Sequence, residues 1–296
     1  MAAPTDFDHG LTVRLSAAGQ PPVRDGSSAE RVISVLFETG IEEWRRGWRD
    51  SPRLDPTREA IVSASDTTRG ATATTQVVPG RRLAYTMVDE SADLDRVVDA
   101  VSTHVTEAEW KGPSVVVDDI ARLLADRGVP DTRSFVAALS GLTGITDVVV
   151  GCSHRPEVAA AVRSLFDPSD VAGHVDHPVT GALDRLRRDD PTTFGYVRRH
   201  WAEARDGIER CTRNYPQSRQ IHASLSEPET TPRTLGATLS GLVRLDVLDT
   251  WGETVGSTRY DLTAYDPDLM WVVGAALATS SGGPGADEGS ATAGDD

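Results

Sequence analysis

Two sets of side chains in this sequence could do chemistry, and they differ in kind. The first is a pair of adjacent carboxylates, Asp118 and Asp119, closing the apolar run Ser114-Val115-Val116-Val117. Carboxylates at the end of a strand can hold a divalent cation, or they can accept from the unpaired N–H groups at the start of the next helix. The second set is a spread of guanidinium and hydroxyl donors: Arg219, Arg233, Thr234, Thr238, Arg244, Ser257, Thr258 and Arg259. Donors of this kind suit phosphate oxygens and base edges, which makes double-stranded DNA the expected partner.

Smaller clusters carry less. The seven histidines stand at 9, 104, 154, 174, 177, 200 and 222, with no H-E-x-x-H among them. His174, Asp176 and His177 have spacing a metal could use, but no further Cys or His lies close in sequence. Cys152 and His154 flank Ser153 at a strand end, yet neighbours in sequence are not a dyad and no group that would orient the base is identifiable. The expectation is no catalytic residue, no metal, no cofactor and no enzyme.

The donors must be positioned by elements that the sequence marks clearly. Thr231 reads as an N-cap and Pro232 as the first residue of a helix running to Leu245. Leu235, Leu239, Leu242 and Val243 fall at i, i+4, i+7 and i+8, so Arg233, Thr234, Thr238 and Arg244 are expected on the opposite face. Two strand-like runs follow, Val247–Trp251 and Ser257–Leu262, joined by a glycine-bounded tip at 252–256. Helix, turn, helix and hairpin over 216–265 resemble a winged-helix DNA reader. That resemblance implies that the 232–245 helix enters the major groove with Arg233, Thr234 and Thr238 nearest the bases or phosphates. Arg219 and Arg259 would hold the backbone on either side.

Upstream, β-branched runs alternate with amphipathic helices, the pattern of a parallel sheet covered on both faces. Strands are expected at 32–37, 60–63, 83–88, 114–119 and 146–152, with helices near 41–48, 94–105, 120–127, 132–142 and 156–166. The Val115–Asp119 strand, with the helix–strand–helix order through Phe166, resembles the RecA/KaiC-like branch of the P-loop NTPases. More narrowly it resembles the degenerate modules of haloarchaeal regulators with a C-terminal winged helix. The resemblance departs at its working part, because G-x-x-x-x-G-K-[ST] does not occur and Lys111 precedes the acidic strand rather than opening a helix. Asp118 and Asp119 therefore read as a degenerate Walker-B-like pair.

Composition bounds the rest. The formal charge is −15, and 29 of the 30 basic residues are arginine, Lys111 being the exception. Such an Asp-rich, Lys-poor chain suits a cytoplasm at molar salt, where the Debye length is about 3 Å and local contacts decide. A high-GC genome with an acidic proteome is the other source of such a composition. Residues 212–265 carry five arginines against six acids, so the acidity is concentrated elsewhere. Two cysteines make no disulfide framework, and no apolar run is long enough to span a membrane. A cytoplasmic protein without membrane contact is expected. It is organised as a flexible arm (1–29) with one short strand around 11–15, a degenerate RecA-like domain (30–175), a winged-helix domain led by a long helix (176–279) and a disordered acidic tail (280–296). The function this implies is a homodimeric DNA-binding transcriptional regulator whose first domain senses or oligomerises. A nucleotide-binding ATPase-like signalling protein and an adaptor docking a protein partner are the alternatives.

Overall fold

The computed structural model describes residues 11–15, 31–50, 56, 58–64, 74–77, 83–89, 93–107, 112–153, 155–173, 175, 177–252 and 257–280. Lys111, His154, His174, Asp176 and the hairpin tip at 253–256 lie outside them, as do most of the expected arm and tail.

Seven strands form one sheet: β1 (Leu11–Leu15), β2 (Arg31–Leu36), β3 (Arg58–Ser63), β4 (Thr74–Val77), β5 (Leu83–Met87), β6 (Ser114–Val117) and β7 (Asp147–Cys152). Their order is β1-β7-β6-β2-β3-β5-β4, with every pairing parallel except that of the edge strand β4 with β5. The chain runs outward from β2 through β3 to β5, then returns to place β6 on the other side of β2. That reversal opens a seam between β2 and β6, the position where open α/β sheets take ligands. β1, expected as a short strand within a loose arm, is an integral edge strand in register with β7. β4 carries no readable sequence signal.

The helices cover both faces because the strands are apolar on both. α1 (Ile41–Asp50) packs Trp44 and Trp48, one turn apart, over Val32, Leu36, Ile61, Val116 and Val149. The Trp44 indole N–H donates to Ser34 Oγ at 2.9 Å, satisfying two polar groups inside that layer. On the other face lie α2 (Leu94–Glu107), α3 (Ala121–Ser140) and α4 (Pro156–Leu165). α3 is broken at Gly128 (φ 77°, ψ 177°), with Pro130 opening its second half, so the two expected helices are the two arms of one kinked element. The result is the mostly parallel, helix-flanked sheet of a RecA-like α/β fold.

The C-terminal half is helical: α5 (Pro178–Asp189), α6 (Pro191–Arg210), α7 (Ser218–His222) and α8 (Pro232–Val243). A two-residue pair, β8 (Asp249–Thr250) and β9 (Tyr260–Asp261), follows, then α9 (Pro267–Ser280). β8 and β9 are much shorter than the expected runs, because Val247 and Leu248 are drawn into the core instead. Gly241 lets α6 and α8 touch, since a Cβ there would collide with the Val197 side chain. α9 is buried on nearly all sides from Met270 to Leu277 and packs on α4, α5 and α6. Its Trp271 N–H donates to the Phe166 carbonyl at 3.0 Å, and Arg163 pairs with Asp268 at 2.9 Å. One apolar core therefore runs from the sheet into the helical half. Among the described residues no helix is long and apolar enough to cross a membrane.

Candidate nucleic-acid interface and the filled end of the sheet

At the seam between β2 and β6 the chain binds itself. The turn joining β2 to α1 is only Phe37-Glu38-Thr39-Gly40, and its successive N–H groups converge on one anion, the Asp118 carboxylate. Oδ1 accepts from Phe37 at 2.9 Å and from Asp119 at 2.7 Å; Oδ2 accepts from Glu38 at 3.0 Å and Thr39 at 2.7 Å. Such a run of backbone donors is an anion-binding concavity, and an internal carboxylate fills it. Burial pushes the Asp118 carboxyl above its usual range, against the pull of these backbone donors. Asp119 serves a different turn. Its Oδ1 accepts from Ala121 N–H at 2.9 Å and Ser153 N–H at 3.0 Å, tying β6, β7 and the start of α3 together. Arg155 completes the arrangement, 3.4 Å from Asp119 Oδ2 and 3.3 Å from Glu38 Oε1. A space bordering Phe37 of the turn, lined also by Ala64, Asp89 and Arg122 among others, is about 30 Å³, enough for one water. Of the pair read as Walker-B-like, Asp118 clamps the turn after β2, while Asp119 accepts from the start of α3, the second of the two roles that carboxylates at a strand end can take.

Of the lesser candidates, His177 and Cys152 lie among the described residues and take structural positions. His177 Nδ1 accepts from Val179 N–H at 3.1 Å and is the N-cap of α5. Cys152 is fully buried, which pushes its thiol far above the ordinary range, the nearby Asp119 charge adding to this. A thiol so placed is a poor nucleophile. Among the described residues no three His, Cys, Asp or Glu side chains gather as metal ligands.

In the C-terminal half the donors meet a groove. α8 starts as its sequence dictates: Thr231 Oγ1 accepts from Thr234 N–H at 3.2 Å, with Pro232 in the first turn. Gln217, just before α7, bridges antiparallel to Arg259, and Tyr260 N–H donates to the Pro216 carbonyl at 3.0 Å. Residues 216–217 thus flank β9 on one side while β8 flanks it on the other. Between this small sheet, α7 and α8 lies a groove of about 320 Å³ lined by Gln217, Ser218, Arg219, Gly236, Ala237, Ser240, Ser257, Thr258 and Tyr260. The Tyr260 hydroxyl donates to the Gly236 carbonyl at 3.0 Å, fixing the β9 wall to α8. Among the described residues no carboxylate lines the groove, and Arg219 is its one cation.

Of the residues expected to touch DNA, the groove gathers Arg219, Ser257 and Thr258. Arg233 is exposed at the start of α8, outside it. Thr238 requires correction: it is fully buried, its hydroxyl donating to Thr234 O at 3.2 Å. It lies three residues after Leu235 and four before Leu242, on the apolar stripe, so its helical phase overrides its polarity. Thr234 is half-buried with its hydroxyl 3.0 Å from that of Thr231. Arg244 pairs with Asp190 at 2.8 Å, and Arg259 donates to the Tyr215 carbonyl at 3.1 Å. Sequence reasoning missed Ser218, Ser240 and Tyr260. It also missed Tyr215 and Trp251, exposed aromatic rings packed 5.0 Å apart beside the small sheet.

No protein-family model matches the chain, and no curated protein matches it. Among solved structures, the chain is similar to one in the structure of Drosophila ORC bound to AT-rich DNA and Cdc6. That likeness has 9% identity over 81% of this chain and 83% of the other, with a TM-score of 0.22. At that score neither fold nor function is carried across.

Proposed function

We propose that this chain is a DNA-binding transcriptional regulator in which α6 to β9 form a winged-helix unit and the α/β layer is a non-enzymatic sensing or oligomerisation platform. The observation that carries the reading is the polar groove. There Arg219 and the hydroxyls of Ser218, Ser257 and Thr258 line one concavity, with no carboxylate among its described residues. Phosphate oxygens are the ligands such donors suit. The one-residue pairing of Gln217 with Arg259 supports it too, since β9 then stands between two partners, as a wing strand does beside its helix pair. The Asp118-filled turn supports a platform without nucleotide hydrolysis, because the backbone donors a phosphate would need are already engaged.

Electrophoretic retardation of duplex DNA by the full chain tests the reading. The native chain is expected to retard duplex, and Arg219→Ala/Thr258→Ala to weaken it with a shallower salt dependence, by about one unit of log–log slope per lost phosphate contact. Equal affinities for both proteins would remove the groove from the account. Magnesium–ATP is expected to leave the melting temperature unchanged; a rise abolished by Asp118→Ala would favour a nucleotide-dependent protein. A second reading, docking of a protein partner, draws on the exposed Tyr215–Trp251 pair, since Tyr and Trp are enriched at interfaces. It requires that Trp251→Ala abolish a defined complex while leaving DNA retardation intact.

A further inference from the structure

The outward face of α8 consists of the residues at i, i+4, i+7 and i+11 from Arg233, namely Arg233, Ala237, Ser240 and Arg244, with Gly236 beside them. The strongest discrimination among bases in the major groove comes from long side chains with paired donors or acceptors, above all Arg on guanine and Asn or Gln on adenine. Ala237 offers only a methyl contact to thymine, and Gly236 has no side chain to offer. The Ser240 hydroxyl donates to the Gly236 carbonyl at 2.9 Å, and Arg244 is turned onto Asp190, the N-cap of α6. Arg233 alone is exposed, long and without a hydrogen-bond or ion-pair partner among the described residues. The groove walls supply what the helix lacks. Arg219, Ser218, Ser257 and Thr258 line the groove beside α8, donors of the kind that suit a sugar–phosphate backbone.

Resting on the winged-helix reading above, we infer that this unit binds duplex DNA by its backbone with little regard to sequence, Arg233 being the one long base-reading side chain among its described residues. The small residues of α8 let the helix approach the duplex closely, and the groove holds a phosphodiester strand beside it. A single bidentate arginine discriminates among base pairs by roughly 5- to 150-fold, which sets the ceiling on specificity.

The test is fluorescence anisotropy with the full chain and a panel of short duplexes of varied central sequence, at one fixed salt concentration. The dissociation constants are expected to lie within about 150-fold of each other. Arg233→Ala should collapse that spread with modest loss of mean affinity. Arg219→Ala should weaken every duplex by the same factor and leave the spread intact. A spread beyond about 150-fold, or a preference that survives Arg233→Ala, overturns the inference while leaving DNA binding standing. Failure to bind any duplex overturns the underlying function as well, and so is distinct from either.

Discussion

Asp118 shows how a single residue can take up the donors of a whole turn. Its carboxylate stands where an open α/β sheet would present backbone donors to a phosphate, and it uses Phe37, Glu38 and Thr39 itself. Replacing it with the isosteric asparagine turns one of its acceptor atoms into a donor facing donors. Asp118→Asn is expected to cost about 1–3 kcal/mol in urea unfolding, the penalty for an unsatisfied buried group; an unchanged midpoint would refute the clamp. Gly151 matters for the same turn, because a Cβ there would collide with the Asp118 carbonyl oxygen. Gly151→Ala is therefore expected to destabilise by roughly 1–3 kcal/mol, through overpacking rather than lost bonding. None of this is legible in the sequence. The strand ending in two acids is visible, but the donors lie about eighty residues away, and no local pattern announces them. Thr238 misleads for a nearer reason, since its polarity points to the exposed face while its helical phase buries it.

The elements are more readable wherever their signals are local. Thr231 with Pro232 marks the start of α8, and Asp190 with Pro191 the start of α6, because caps are written into adjacent residues. Asp190 accepts from both the N–H and the hydroxyl of Thr193, at 2.9 and 2.8 Å, and with Arg244 these bonds hold its carboxyl below the ordinary 3.8. A folded pKa below the unfolded one gives stability that is full above about pH 3.8 and lost as pH falls through the lowered value. Asp190→Ala should thus lower the melting temperature at neutral pH, and the gap to wild type should narrow on acidification below that point. A gap of constant size across the range would exclude the cap's charge as its cause. The small sheet is poorly readable. A bridge of one residue each from Gln217 and Arg259 has no period, and strands of two residues barely have one.

At the scale of the whole molecule, α9 is the wedge that joins the two halves. Its buried residues face α4, α5 and α6 together, and Trp271 is hydrogen-bonded to Phe166 across the join. Trp271→Ala is expected to cost about 3–5 kcal/mol. Because the core is continuous, native unfolding should be a single calorimetric transition, and two resolved transitions would show the halves to be independent. The neighbours of this helix cannot be read from its sequence, since a helix buried all round has no preferred side to read. The register of β1 carries one more consequence, and it concerns time. Leu11 pairs with Val148, so the first strand of the sheet cannot find its neighbour until the ribosome has made about half the chain. At about 5–20 residues per second, that is a wait on the order of ten seconds. Until then the growing sheet has no β1 at its margin, and a nascent chain halted before β7 holds its first strand without a place to dock.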